Sequence, residues 1–273
     1  MNKLQEIAHN RRGAVEAEKT ARPLDAVQAA ATAAPPCRGF RAALVGRAPA
    51  VIAEIKRASP SAGSIRAGAD APEIAVVYEQ AGAAALSVLT EPDYFHGQLA
   101  DMVAARSATR LAAIRKDFVI DPWQVYDSRA AGADAVLLIV ALLGDGIGRY
   151  LATAAEIGID ALVEVHDEAE LDVALNAGAT LVGINNRDLR DLSIDLAVTE
   201  RLAPRLPKDV TLVAESGIQS PADARRMVDA GATALLVGSA LMANKDPGQA
   251  LRALIAGQDE KVDVGKGLRH HAA

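Results

Sequence analysis

The heptapeptide QAGAAAL (80–86) returns as AAGADAV (130–136), NAGATLV (176–182) and DAGATAL (229–235). Each copy reads as a joint where a helix stops and a strand begins. The glycine suits the left-handed residue that closes a helix, and the small residues around it let helix and strand pack closely. The copies recur roughly every 50 residues, enough for two strand–helix units each. Four such double units make eight strands. Working outward from the joints, short apolar runs fall at Val51–Ile55, Ala84–Leu89, Leu111–Arg115, Ala135–Val140, Ala161–Val165, Thr180–Ile184, Thr211–Ala214 and Ala234–Val237. Between them, Asp70, Asp121, Asp167 and Ser220 each stand where a capping side chain opens a helix, and Pro122 and Pro221 occupy first helical positions. The pattern predicts an α/β fold, a (β/α)8 TIM barrel with an N-terminal helical extension. A doubly wound open sheet is the structural rival. It normally has fewer strands, and no GxGxxG follows the first one.

Residues 1–48 read as that extension, 49–257 as the barrel and 258–273 as a loose, charged tail. In the extension Leu4, Ile7 and Ala8 sit at helical spacing. Pro35-Pro36 breaks any helix, and Phe40, Leu44 and Val45 suit one short amphipathic helix. The extension is expected to cover one end of the barrel and to carry no chemistry.

Composition narrows the class. Of 273 residues 51% are hydrophobic but only 3% aromatic, so the core must be aliphatic. The net charge of -6 and the absence of a basic run point away from nucleic acid. The longest apolar run, Ala135–Leu143, is too short to span a bilayer, and the opening MNKLQEIAHNRR lacks a signal-peptide core. The single Cys37 suits a reducing cytoplasm. A soluble cytoplasmic protein, monomer or weak homodimer, with no membrane or nucleic-acid partner is expected.

In such barrels the active site lies at the carboxyl ends of the strands. The polar residues gather there: Glu54 and Lys56 after the first strand, Lys116 after the third, Glu164 at the fifth, Asn185 after the sixth, Glu215 and Ser216 after the seventh, Gly238 and Ser239 after the eighth. Glu54 and Lys56 are two apart and point to the same face. Burying that pair is expensive unless the two groups bond or do chemistry. Arg115 and Asp117 flank Lys116 and are candidate ion-pair partners for it. Ser216-Gly217 and Gly238-Ser239 offer unobstructed backbone N–H groups where phosphate binding recurs in this fold, and Arg187 can add a charged contact. Lysine can be a general acid, glutamate a base, and a rim lysine can also form a Schiff base. With no HxH pair or Cys cluster on the strand ends, a metal is not expected. His96 and His166 read as isolated packing or capping residues.

The stretches AEIKRASPSAG (53–63), SVLTEPDYFHG (87–97), RKDFVIDPWQ (115–124), LVEVHDEAEL (162–171), GINNRDL (183–189), VAESGI (213–218) and LLVGSALM (235–242) closely resemble the indole-3-glycerol phosphate synthase family. The resemblance runs from about Phe40 to Ala256. It implies an enzyme of tryptophan biosynthesis, a carboxy-lyase, that needs no cofactor. Its phosphorylated substrate is 1-(2-carboxyphenylamino)-1-deoxyribulose 5-phosphate. Carried over by position, Lys116 resembles the general acid, Glu54 and Lys56 an acid–base pair, and Glu164 the carboxylate that steadies a cationic intermediate. Asn185 and Glu215 resemble orienting groups, and Ser59 a first-loop residue of the site. Ser216, Gly217, Gly238, Ser239 and Arg187 resemble the phosphate site, with Phe95, Phe118 and Leu236 as candidates for an apolar slot. The alternatives are another phosphate-binding barrel enzyme, either phosphoribosylanthranilate isomerase or a Schiff-base aldolase, and a catalytically silent binding barrel.

Overall fold

The computed structural model describes residues 3–46, 49–189 and 191–256. Eight parallel strands close into a barrel: β1 (Ala50–Ile55), β2 (Ala85–Leu89), β3 (Ala112–Lys116), β4 (Ala135–Ile139), β5 (Asp160–Val165), β6 (Leu181–Asn185), β7 (Thr211–Glu215) and β8 (Ala234–Val237). Neighbours in sequence are neighbours in the sheet, and β8 closes on β1 with Val51 opposite Leu235. Every expected strand is present within a residue or so at either end.

Side chains alternate across each strand, and the alternation sorts the core in two. Ala50, Ile52, Ala112, Ile114, Leu137, Leu162, Val213 and Leu236 form one cluster, the filling of the barrel. Val51, Ala53, Val88, Val136, Leu138, Val163, Val182, Ala214 and Leu235 form another with the surrounding helices. Carrying the inner set two residues further along each strand gives Glu54, Lys116, Glu164 and Glu215. One parity thus sends the inward face of β1, β3, β5 and β7 from aliphatic filling into charge.

The caps hold the helices in register. Asp70 accepts from the Glu73 N–H, Asp167 from Glu170, and Asp121 and Ser220 complete reciprocal boxes with Gln124 and Asp223. At each quoted joint the glycine (Gly82, Gly132, Gly178, Gly231) has φ between 85° and 110°, where a Cβ would be strained.

The N-terminal segment forms α1 (Lys3–Ala21), α2 (Leu24–Ala33) and α3 (Phe40–Ala43). Phe40 and Leu44 are fully buried and close the amino-terminal end of the barrel filling. Val45, expected on the same apolar face, is exposed. Val27 and Ala31 of α2 pack on Trp123 and Tyr126. Helix α1 lies at the opposite end, at the carboxyl ends of the strands, so the segment reaches both ends. Among the described residues no helix is long and apolar enough to cross a membrane. The tail at 258–273 lies outside the described residues.

Candidate active site

At the carboxyl ends of the strands opens a cavity of about 1200 Å³, counting its solvent-filled mouth. All of the candidate residues line it: Glu54, Lys56, Ser59, Lys116, Glu164, Asn185 and Glu215; Arg187, Ser216, Gly217, Gly238 and Ser239; Phe95, Phe118 and Leu236. Lys3, Leu4 and Ile7 of α1 line it too. The extension, expected to carry no chemistry, thus borders the cavity with three of its residues. The apolar face of α1 was visible in the spacing of Leu4 and Ile7, but spacing does not say which surface such a face meets. The loop after β6 adds Leu189, Leu192 and Ile194, for which the sequence held no signal beyond their being apolar.

The Lys116 ammonium stands among three carboxylates. Its Nζ lies 3.4 Å from Glu215 Oε2, 3.7 Å from Glu164 Oε2 and 3.9 Å from Glu54 Oε2. Lys56 is bonded to the other Glu54 oxygen at 2.8 Å, and the Ser87 hydroxyl donates to Glu54 Oε2 at 3.4 Å. Two close contacts shape this floor. Gly183 of β6 and Gly238 after β8 face Glu215 and Glu54, and a Cβ on either glycine would land on the facing carboxylate. A carboxylate is admitted on one strand because its neighbour has no side chain.

The three carboxylates do not share one protonation state. Burial alone would raise all of them. For Glu54 that is outweighed by Lys56 and Lys116, and its pKa is lowered. For Glu164 burial is outweighed by Lys116 and His166, and its pKa falls well below the usual range. For Glu215 burial wins. Lys116 offsets it in part, but Glu164 and Glu54 add to it, and the group is pushed up to about 8. Neither Glu215 oxygen has a hydrogen bond of good geometry among the described residues. Burial opposes charge on Lys116 as well, but the attraction of Glu215, Glu164 and Glu54 prevails and its pKa is raised. Of the three carboxyl groups, Glu215 thus holds its proton to the highest pH, while Glu54 and Glu164 favour the charged form.

Two expectations about neighbours are corrected. Arg115 and Asp117 are not partners of Lys116. They have the opposite parity, and they bond each other at 3.1 Å, with Arg115 reaching Asp127 at 2.8 Å and Arg11 of α1 reaching Asp117 at 3.3 Å. His166 is not isolated: it lies between Glu164 and Glu170, at 3.4 Å and 2.9 Å. His96 does cap, closing the helix Pro92–Phe95 with a left-handed φ of 54°.

Around this floor the other candidates take distinct places. Ser216 and Gly217 follow β7 with left-handed φ of 63° and 80°. A Cβ on Gly217 would meet the side chains of Ile194 and Leu196 at 2.7 and 2.9 Å. Arg187 donates to the Leu192 carbonyl at 2.9 Å, and burial lowers its pKa. Asn185 Oδ1 accepts from the Arg187 N–H at 3.0 Å. Ser59 sits in a short hairpin and accepts from the Ala62 N–H at 3.1 Å. Phe95 and Phe118 lie with ring centroids 6.0 Å apart, tilted by 41°. The Glu91 carboxylate fixes Phe95 by accepting from the N–H groups of Asp93, Tyr94 and Phe95.

Residues 4–254 match the family described as indole-3-glycerol phosphate synthase. Proteins of that name from Rhizorhabdus wittichii and Azospirillum brasilense are 49% and 47% identical to the chain over 94% and 93% of its length, which is 99% and 98% of theirs. One from Mycolicibacterium smegmatis is 44% identical over 92% of the chain and 93% of its own length. Among solved structures, one titled native KDPGal aligns with a TM-score of 0.58 at 18% identity, over 78% of this chain and 96% of that one. A thiamine phosphate pyrophosphorylase from Pyrococcus furiosus aligns with a TM-score of 0.58 at 19% identity, over 77% and 96%. At such identities the structural likeness speaks to the fold alone.

Proposed function

The chain belongs to the indole-3-glycerol phosphate synthase family, and from that premise we propose how its residues carry the family's reaction. The enzyme is a carboxy-lyase of tryptophan biosynthesis. It closes the indole ring of 1-(2-carboxyphenylamino)-1-deoxyribulose 5-phosphate with loss of carbon dioxide and water.

Lys116 is the general acid for ring closure. As the aromatic carbon attacks the ketone, the carbonyl oxygen gains negative charge, and an ammonium within reach both stabilises that charge and protonates the oxygen. The observation that carries this reading is the ring of Glu54, Glu164 and Glu215 within 3.9 Å of Lys116 Nζ. Its two ionised members, Glu54 and Glu164, keep the lysine charged, which suits a proton donor and disfavours an amine nucleophile of the Schiff-base kind. Ionised Glu164 steadies the cation formed by attack, before carbon dioxide leaves and the ring is aromatic again. Glu54 and Lys56 then serve dehydration, the ammonium giving a proton to the departing hydroxyl and the carboxylate taking one from the adjacent carbon. Glu215, neutral at pH 7, donates a hydrogen bond and with Asn185 orients the hydroxyls and amine. Ser59 borders the chain of the substrate from the first loop.

The phosphate is held by the backbone N–H groups at Ser216-Gly217 and Gly238-Ser239, with Arg187 as counter-charge. The aromatic ring lies in the slot of Phe95, Phe118 and Leu236. Holding ring and ketone in attack geometry is itself a large part of the rate. Residues 1–48 serve as an extension of the barrel at 49–257, with 258–273 as its tail. The working unit is a cytoplasmic monomer or weak homodimer.

The test is direct. Purified protein, given this substrate with a chelator present, should produce the fluorescence of indole and release carbon dioxide in equal amount. A folded protein that produces neither would overturn the assignment.

A further inference from the structure

Glu164 has a titratable neighbour on each side. Its Oε2 lies 3.7 Å from Lys116 Nζ, which lines the cavity. Its Oε1 lies 3.4 Å from His166 Nε2, just past the end of β5, and His166 does not line the cavity. The two residues are two apart, so strand alternation sends both side chains to one face. Glu54 differs in this respect, because both of its cations, Lys56 and Lys116, line the cavity.

Behind the ring stands Glu170, in the first turn of the helix Glu168–Asn176. Its Oε2 accepts from the His166 backbone N–H at 2.8 Å and lies 2.9 Å from Nδ1. The Glu170 N–H in turn donates to Asp167 at 2.9 Å, so the start of the helix fixes this carboxylate. The ring is clamped on its Nδ1 side and turns Nε2 toward Glu164.

These contacts assign the hydrogens of the ring. The Glu170 oxygen already accepts one N–H, and Nδ1 donates it a second. Nε2 has no hydrogen bond among the described residues and faces Glu164 Oε1. Bare, it would set its lone pair against an ionised carboxylate in a buried place, which is costly. Protonated, it sets a positive charge there instead. Burial opposes charge on the ring, but Glu164 and Glu170 outweigh it and push His166 up to about 10. These are the two charged groups that face the ring, one from its own strand and one from the following helix. Lys116 stands on the far side of Glu164.

Ring closure moves the Lys116 proton to the ketone oxygen. Glu164 then loses the ammonium beside it while it must stay ionised to steady the new cation. We infer that His166, clamped by Glu170, is a positioning residue that holds Glu164 in place and ionised through ring closure. It touches no substrate and moves no proton. This deepens the role of Glu164 proposed above and rests on it.

The test has two arms. In wild type labelled with nitrogen-15 histidine, with His166→Gln to identify the signals, both nitrogens of His166 should be protonated at about pH 8, where an ordinary histidine is neutral. One bare nitrogen at that pH would overturn the inference. Glu170→Gln keeps an acceptor for Nδ1 but removes a negative charge, so the ring should lose its second proton at lower pH than in wild type. An unchanged midpoint would overturn the part given to Glu170.

The second arm is kcat against pH, with folding checked by circular dichroism. Without the cation the Glu164 carboxylate protonates more easily. In His166→Gln the acid limb should therefore move toward neutral pH by about one unit or more, with KM little changed. His166→Lys restores a positive charge without the ring and should move the limb back. A limb that stays in place in His166→Gln, or a uniform loss at every pH that His166→Lys does not correct, would make the role structural and overturn the inference. A wild type that forms no indole would sink the synthase reading, and with it this role, whatever the nitrogen spectrum shows.

Discussion

Lys116 and Asp117 adjoin in the chain and belong to separate charge networks. The Lys116 ammonium faces Glu215, Glu164 and Glu54 at 3.4, 3.7 and 3.9 Å. The Asp117 carboxylate accepts from Thr90 at 2.8 Å, Arg115 at 3.1 Å and Arg11 at 3.3 Å. One network lines the floor of the cavity, and the other fastens β3 to α1, whose first turns border the same cavity.

Asp117→Ala should therefore act on stability. It leaves two nearly buried guanidiniums, Arg11 and Arg115, without a shared carboxylate, and removing one partner of a buried ion pair costs on the order of 3–5 kcal/mol. Urea unfolding should show a loss of that size. A loss below about 1 kcal/mol, the range of exposed pairs, would mean that the network does not fasten the helix.

Gly238→Ala should act on turnover. The new Cβ would displace the Glu54 carboxylate and with it the 2.8 Å bond to Lys56. A misplaced catalytic group costs about a hundredfold in rate. We expect a fall in kcat of that order, with the unfolding temperature lowered by only a few degrees. An unchanged kcat would show that Glu54 can move without cost and is not the base.

Glu215 should make stability depend on pH in a particular direction. Its pKa rises from 4.5 to about 8 on folding, so between those values the folded state binds a proton that the unfolded state has lost. Stability from this group is full below about 4.5, is lost as pH rises toward about 8, and changes no further above that. Relative to Glu215→Gln, wild type should lose a few kcal/mol over that window. Parallel stability curves for the two proteins across it would place an ordinary, ionised glutamate at the floor.

Much of this site was legible because strand parity is visible in a sequence. Ile52 and Glu54, Ile114 and Lys116, Leu162 and Glu164, and Val213 and Glu215 are each two apart, so aliphatic filling and charge share a face. The same rule separates Arg115 and Asp117 from Lys116, which the local reading paired by adjacency. His166 shares the parity of Glu164, but its partnership with Glu170 depends on how the following helix turns back. The approach of α1 was illegible for a related reason. Leu4 and Ile7 mark an apolar face, while the surface that it covers is assembled from eight strands far along the chain.

Ser239→Asp should raise KM for the phosphorylated substrate by about tenfold or more, because it sets a carboxylate against the phosphate dianion. The kcat should change less than KM. An unchanged KM would remove Ser239 from the phosphate site.

The most direct test of the central assignment is turnover by Lys116→Ala, with circular dichroism and urea unfolding run alongside. We expect a folded variant whose indole formation falls by about a thousandfold or more, and a wild type in which borohydride traps no substrate on Lys116. Wild-type turnover in the variant, or covalent trapping at Lys116 in wild type, would contradict the role of Lys116 as the acid that closes the ring.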